Sequence, residues 1–285
     1  MSKLIHSFYS RNCSEYHMFM HSCYFCLSAI YCKSSGIDIS LYTDYEFGQV
    51  LDKAPYENRH IVFDEYDKYS NINKFVWAWP KFIALDMVPR DTIHIDGDVF
   101  LKDKSCESIL DFNGNDVIVQ HLERSYHLSV TQSIYDSTYD AVKHLKWPDF
   151  IKNECPSCMP NNGVMGIKNE TLWKQYKSTY WDMYNQCTPD AIVSDVYIVP
   201  DIIFEQHFLK EICDTYGYSI KYLLNGNTFD DINKDAIDKH YQHVCVDKHV
   251  KLKYIISLIK KKDPICYESL RCNWENKYPE YFTYE

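Results

Sequence analysis

Glycine is scarce in this chain, 8 among 285 residues, and positive charge is in deficit: 30 Lys and Arg face 40 Asp and Glu, for a formal net charge of −10. Few glycines beside 16% aromatic residues exclude a disordered or low-complexity chain, which lacks the apolar surface to offset ordering entropy. The acidic balance argues against a nucleic-acid partner, whose binding rests on a broad basic surface neutralising phosphates. No apolar run reaches the roughly 20 residues that cross a bilayer. The longest, Tyr16 to Cys32, contains two His and two Ser and reads as a buried helix. Cys155 and Cys158 form one CxxC, with no second pair at zinc-finger spacing. No secretory leader precedes "SKLIHSFYS", so the 12 dispersed cysteines are expected as reduced thiols and the chain as cytoplasmic. No internal repeat and no long linker divides it.

What is present is a core. Hydrophobic residues make up 46% of the chain, with 25 Tyr and 14 Phe, enough for one large α/β domain. Strand patterns at Lys3–Tyr9, Ile37–Thr43, His60–Tyr66 and Thr92–Ile95 alternate with helical ones at Glu15–Lys33, Tyr45–Leu51 and Ile72–Val88. Repeated β-α-β units predict a mostly parallel central sheet flanked by helices. Pro80 should kink the third helix or mark a break in it, with Trp77, Trp79 and Phe82 as core. Further on, Asp116–Leu122 reads as a strand, Asn161–Ile167 as a turn into a strand, Thr171–Asn185 and Asp201–Tyr216 as helices, and Tyr218–Leu224 as a strand. A polar loop over Asn225–Asp238 and a lysine-rich C-terminal helical element complete the expectation. Residues 1–250 are expected to form the main domain, with 251–285 packed on it.

The stretch "IHIDGDVFL", Ile93 to Leu101, ends a buried strand with two carboxylates separated by a glycine. Ligands of open α/β sheets bind beyond the carboxyl ends of strands. Two carboxylates in one small site repel each other unless a proton or a cation lies between them. Oxygen ligands suit Mg2+ or Mn2+, which complete their shells with substrate phosphates.

In that context "IHIDGDVFL" resembles the DxD motif of GT-A fold (Rossmann-like) glycosyltransferases that use nucleotide sugars, in which the aspartates hold a divalent metal bridging the donor's two phosphates. Three more segments are similar to the retaining glycosyltransferase family 8. "PNNGVMGI" (Pro160–Ile167) matches a strand lining the donor-sugar and acceptor pocket, which implicates Asn162 and Gly163. "PDIIFEQHFL" (Pro200–Leu209) places Glu205 and Gln206 beside the reacting carbon, as the catalytic pair. "HYQHVCVDKHVK" (His240–Lys251) matches the segment that supplies a metal-binding histidine and a lysine for the diphosphate. The family pattern there is H-x-x-G-x-x-K; here Val246 replaces the glycine and Lys248 stands one residue early, with Lys251 and Lys253 as rivals for the phosphate and His240 as the rival of His243. Glu205 stands where the family has Asp.

The resemblance thus implies a metal-dependent glycosyltransferase of hexosyltransferase type, retaining in outcome, taking a nucleotide-diphosphate sugar, most simply a UDP-sugar, to a glycan or lipid-linked acceptor in polysaccharide biosynthesis. Asp96, Asp98 and His243 are its expected metal ligands and Mn2+ (or Mg2+) its metal, the imidazole favouring manganese. Asp44 is expected near the nucleotide, and Lys81, Asp96 and Lys248 near the donor diphosphate. The run Lys248–Lys262 holds six lysines and no acid. It suits donor phosphates at its start and an anionic membrane surface at its end, which would place the chain at the inner face of a membrane. An amphipathic helix with solvated lysines explains the same run. Two alternatives stand: a haloacid-dehalogenase-like phosphohydrolase with Asp96 as nucleophile and "FDDIN" (Phe229–Asn233) as its later acidic motif, and a non-catalytic nucleotide-sugar-binding relative.

Overall fold

A computed structural model describes residues 3–11, 13–69, 78–124, 129–187, 200–244 and 247–283, and among these described residues there are nine strands and ten α-helices. The strands are β1 (Leu4–Phe8), β2 (Ile39–Thr43), β3 (Arg59–Ile61), β4 (Ile93–Ile95), β5 (Val99–Leu101), β6 (Val117–Arg124), β7 (Cys158–Ile167), β8 (Ile220–Tyr222) and β9 (Tyr241–His243). The helices are α1 (Glu15–Ser34), α2 (Tyr45–Val50), α3 (Trp79–Asp86), α4 (Cys106–Ile109), α5 (Ser129–Val142), α6 (Glu170–Tyr184), α7 (Phe208–Tyr216), α8 (Phe229–Asp238), α9 (Lys248–Lys262) and α10 (Pro264–Trp274). A π-helical turn, Ile202–His207, runs directly into α7.

Seven strands form one sheet in the order β3-β2-β1-β4-β7-β6-β8, and β5 pairs antiparallel with β9 beside it. All pairings within the large sheet are parallel except the two made by β7. The expected mixed α/β architecture is therefore present. The order reverses beside β1: β2 and β3 extend one way and β4 lies on the other side. In open α/β sheets such a switch is where ligands bind, in a crevice at the strands' carboxyl ends. Because β7 runs against its neighbours, its first half, and not its end, lies at that crevice. Ile95 is opposite Val164, so Asp96 continues alongside Gly163 and donates its N–H to the Gly163 carbonyl at 2.8 Å.

Each face of the sheet carries a core. One gathers α1, α9, α10 and the β5–β9 pair; the other gathers α3, α6, α7 and the π turn. Helix α1 is apolar all round because it lies between the sheet and α9; residues Cys23 to Cys32 are buried without a break. Ser14 caps it by accepting from the His17 N–H at 3.2 Å. No helix among the described residues is long and apolar enough to cross a membrane.

Several elements differ from the sequence reading. Pro80 sits in the first turn of α3 and starts a helix, where its missing N–H costs nothing; residues 70–77, Trp77 included, lie outside the described residues. The strand at His60–Tyr66 is shorter, and Phe63–Tyr69 forms a 3-10 turn. Asn161 is not in a turn but already in β7, paired with His121. The polar stretch Asn225–Asp238 is mostly helix α8, opened by a reciprocal box in which the Asp231 N–H meets Thr228 Oγ1 and the Thr228 N–H meets Asp231 Oδ2, both at 3.1 Å. That makes "FDDIN" (Phe229–Asn233) the start of α8. The expected boundary at residue 250 falls inside α9, whose Leu252, Ile255, Ile256 and Ile259 belong to the α1-side core. At its end, Lys262 Nζ lies 4.4 Å from the Tyr31 ring centre, a cation–π contact with the protein itself.

Candidate functional site

Strand β4 delivers Asp96 to the crevice, a tight turn follows, and Asp98 precedes β5. Gly97 makes the turn possible through space alone: a Cβ there would lie 1.9 Å from the Phe25 ring of α1. The turn is closed by the Val99 N–H donating to the Asp96 carbonyl at 3.0 Å. Strand β9 then pairs with β5, Val99 opposite His243, and the Val244 N–H donates to the Asp98 carbonyl at 3.1 Å. This pairing is what carries His243 to the aspartates.

Asp96, Asp98 and His243 each offer one ligand atom, and these atoms lie within 4.8 Å of one another. His243 Nε2 is 3.4 Å from Asp98 Oδ1. Neighbouring ligands of a six-coordinate ion with bonds near 2.1 Å are about 3 Å apart, so this pair needs little movement to share a cation. Two hard oxygens and one imidazole fit Mn2+ well. His240, the rival ligand, is exposed at the turn before β9 and is not one of the three.

Asp98 also meets Lys248 Nζ at 2.7 Å through Oδ2. Burial alone would raise the Asp98 carboxyl; His243 and Lys248 outweigh it and hold it well below the usual carboxylate range. Lys248 is the first residue of α9, where a cation opposes the helix dipole. It is fixed there by Asp98 and by the Tyr24 hydroxyl, which donates to the Lys248 carbonyl at 2.9 Å. Lys253, one of its rivals, is exposed along the helix.

A second cluster adjoins through Asp96. Lys81, 4% exposed on α3, directs its ammonium at Glu205 Oε1 (2.6 Å), the Asn162 carbonyl (3.0 Å) and Asp96 Oδ1 (3.2 Å). Three N–H donors thus have three acceptors, and in this arrangement Lys81 positions Asp96. Burial works against the ammonium, but Asp96 and Glu205 prevail and hold it above its ordinary value. Glu205 is 1% exposed, and its burial raises the carboxyl against the pull of Lys81. Asn162 donates its amide N–H to the Glu205 carbonyl at 3.2 Å, and the Tyr176 hydroxyl donates to the same oxygen at 2.6 Å. In the π turn that carries Glu205, neighbouring Gln206 is half-buried. His94, two residues before Asp96, is kept neutral by burial and by Lys81, and its Nε2 meets Ser7 Oγ at 2.8 Å.

Asp44 lies where β2 ends, fully buried. Its carboxylate accepts from the Phe47 N–H (3.0 Å), capping α2, from the Ser10 hydroxyl (2.9 Å) and from the Ser10 N–H. It ties the carboxyl ends of β1 and β2 together at the crevice floor. Sequence reasoning did not single out Gln120 of β6 or Tyr241 of β9, whose hydroxyl donates to Gln120 Oε1 at 2.7 Å. Both read as ordinary strand residues, and only the sheet register brings them behind His243.

A family profile described as a family of unknown function, DUF6734, matches residues 3–284. The chain belongs to that family. The matched span of this DUF6734 chain contains every residue of the two clusters. No curated protein sequence matches it. Among solved structures it loosely resembles a galactosyltransferase, LgtC, crystallised with donor and acceptor sugar analogs, at 10% identity and a TM-score of 0.47 over 91% of this chain and 95% of that one. An active-site mutant of LgtC gives 9% identity and a TM-score of 0.43 over 90% and 95%.

Proposed function

We propose that this chain is a metal-dependent glycosyltransferase that takes a sugar from a nucleotide-diphosphate donor, with the GT-A architecture and the family 8 resemblance of its sequence motifs. One observation carries the reading: Asp96, Asp98 and His243 converge at the carboxyl-end crevice beside β1, with the Lys248 ammonium on the same carboxylate. This combination, a divalent-cation site with an ammonium next to it, suits a phosphate-bearing ligand.

Asp96, Asp98 and His243 would hold Mn2+, which when bound acts as a Lewis acid on the departing diphosphate. The chain's own residues do the rest. Lys248 swings from Asp98 to the diphosphate and offsets the charge that develops there. Lys81 stays with Glu205 and Asp96, holding Asp96 toward the metal. Glu205, enclosed and ion-paired, sets the π turn so that Gln206 presents its amide to the sugar and acceptor. Asn162 supports the same wall, and Asp44 fixes the floor on which the nucleotide rests. A retaining outcome and a UDP-linked sugar follow from the resemblance and belong to the same proposal.

A thermal-shift panel tests it. Nucleoside diphosphates and nucleotide sugars are screened with and without Mn2+, and a donor present at 100 times its Kd should stabilise the chain by about 2.7 kcal/mol. A shift for a nucleotide sugar that requires Mn2+ is the expected result. No shift for any nucleotide with Mn2+ present overturns the proposal.

A further inference from the structure

Gly163 is expected from its motif to line a sugar pocket, but its surroundings carry a different role. It is not among the glycines with left-handed backbone, which are Gly36, Gly114 and Gly217, so its conformation asks nothing that alanine would not adopt. Space is the constraint. A Cβ at residue 163 would lie 2.5 Å from His243 Cε1, 2.8 Å from His243 Nδ1 and 2.5 Å from Gln120 Oε1. The imidazole and the amide together fill the volume where any other side chain begins.

Neither neighbour is loosely held. Gln120 is 3% exposed; its Oε1 accepts from the Tyr241 hydroxyl at 2.7 Å and its carbonyl accepts from the Leu224 N–H at 2.8 Å. Tyr241 is two residues before His243 on β9, hence on the same face of the strand. The local backbone is shaped for this contact: between Val119–Met165 and His121–Asn161, β6 advances two residues while β7 advances four, a bulge at Asn162–Val164 opposite Gln120. The Nδ1–Cε1 edge of His243 therefore rests on bare β7 backbone while its Nε2 faces Asp98 at 3.4 Å.

We propose that Gly163 is a positioning residue of the cation site, the seat that sets the His243 imidazole toward Asp96 and Asp98, with Gln120 as the wall of that seat. The inference rests on the reading that these three residues hold a divalent cation. Relieving a 2.5 Å contact requires a displacement approaching 1 Å, and disturbing a residue that orients a metal ligand typically costs 10–100-fold in metal affinity.

Mn2+ is titrated into the full-length, metal-free chain, with free ion read by electron paramagnetic resonance and imidazole nitrogen by pulsed measurements on the bound ion. Gly163→Ala should weaken Mn2+ binding about 10–100-fold and lose the nitrogen signal, with an unchanged circular dichroism spectrum. In a His243→Ala background the same change should alter affinity less than about 2-fold, since non-additivity marks residues acting through one another. Unchanged affinity and nitrogen signal in Gly163→Ala, or an equal loss in both backgrounds, overturns the inference. Gln120→Ala, which opens the wall without crowding it, keeps the test decisive if Gly163→Ala fails to fold: a loss of about 10-fold, the low end for a residue that orients a metal ligand, that disappears in His243→Ala supports the seat, and an equal loss in both backgrounds overturns it. A wild-type chain that binds no Mn2+ contradicts the proposed function itself. One that binds Mn2+ and loses it with His243→Ala but with neither seat variant contradicts this inference alone.

Discussion

Asp98 and Glu205 each meet a lysine, Lys248 at 2.7 Å and Lys81 at 2.6 Å, at opposite ends of one site with Asp96 between them. The resemblance ends there. Lys81 and Glu205 are both enclosed, at 4% and 1% exposure, whereas the Lys248 side chain is 24% exposed and can leave its carboxylate for water or for a phosphate. Asp98 has its carboxyl lowered by His243 and Lys248, whereas Glu205 has its carboxyl raised by burial. In the proposed function the closed pair fixes geometry and the open pair exchanges Asp98 for a phosphate. A buried ion pair is costly to break because the surviving charge is stranded, and the cost is smaller where, as at Asp98, a second partner remains on the carboxylate.

The largest test of that contrast is to remove each lysine in turn. Lys81→Met leaves Glu205 buried without its cation and should cost about 3–5 kcal/mol in urea unfolding. Lys248→Met leaves the buried Asp98 with His243 still beside it, and should cost less than Lys81→Met. Equal losses would break the distinction between closed and open pairs.

Next in size are the binding effects, which should fall on the open pair. Asp98→Asn should weaken Mn2+ binding about 100-fold in calorimetric titration, or about 2.7 kcal/mol. Lys248→Met should weaken nucleoside diphosphate binding in Mn2+ about 10-fold, or about 1.4 kcal/mol. A Lys248→Met chain that binds the nucleotide as tightly as wild type would deny Lys248 its phosphate role.

The smallest effect is in the pH dependence of the metal-free chain, and it should have opposite signs at the two carboxylates. Asp98 is lowered on folding, so its contribution is full above the unfolded Asp value near 3.9 and is lost as pH falls from there through the folded value. The advantage of wild type over Asp98→Asn should shrink in acid. Glu205 is raised on folding, so its contribution is full below the unfolded Glu value near 4.3 and is lost as pH rises through the folded value. Wild type should gain on Glu205→Gln as pH falls. Melting temperatures from pH 7 to 3 check both, and parallel curves would contradict the assignment.

The two halves were also unequally legible in the sequence. The metal half could be read because its signal is local: "IHIDGDVFL" sets two carboxylates at the end of an apolar strand, and His243 follows in a recognisable segment. The closed half is a matter of topology. Lys81, Asn162 and Glu205 are each expected at the site from the family resemblance, but Lys81 and Glu205 are 124 residues apart and nothing in either segment announces that they pair. Only the antiparallel course of β7 puts the Asn162 carbonyl within reach of Lys81, and strand direction leaves no mark on a single sequence. Gln120 was hidden for a similar reason, since one amide in "VIVQHL" carries no sign of what lies across the sheet. Helix α8 was missed because its box closes with Asp231 in place of the commoner Glu or Gln.

The central claim is that the Asp96–Asp98–His243 site with Lys248 serves transfer from a nucleotide sugar. The most direct measurement is release of nucleoside diphosphate from a panel of nucleotide sugars by the purified chain, with and without Mn2+, beside Asp98→Asn. Release from at least one donor that requires Mn2+ and falls at least about 100-fold in Asp98→Asn, the cost of one essential electrostatic group, is the predicted result. Release that Asp98→Asn leaves unchanged, or no release from any donor with Mn2+ present, would contradict the account.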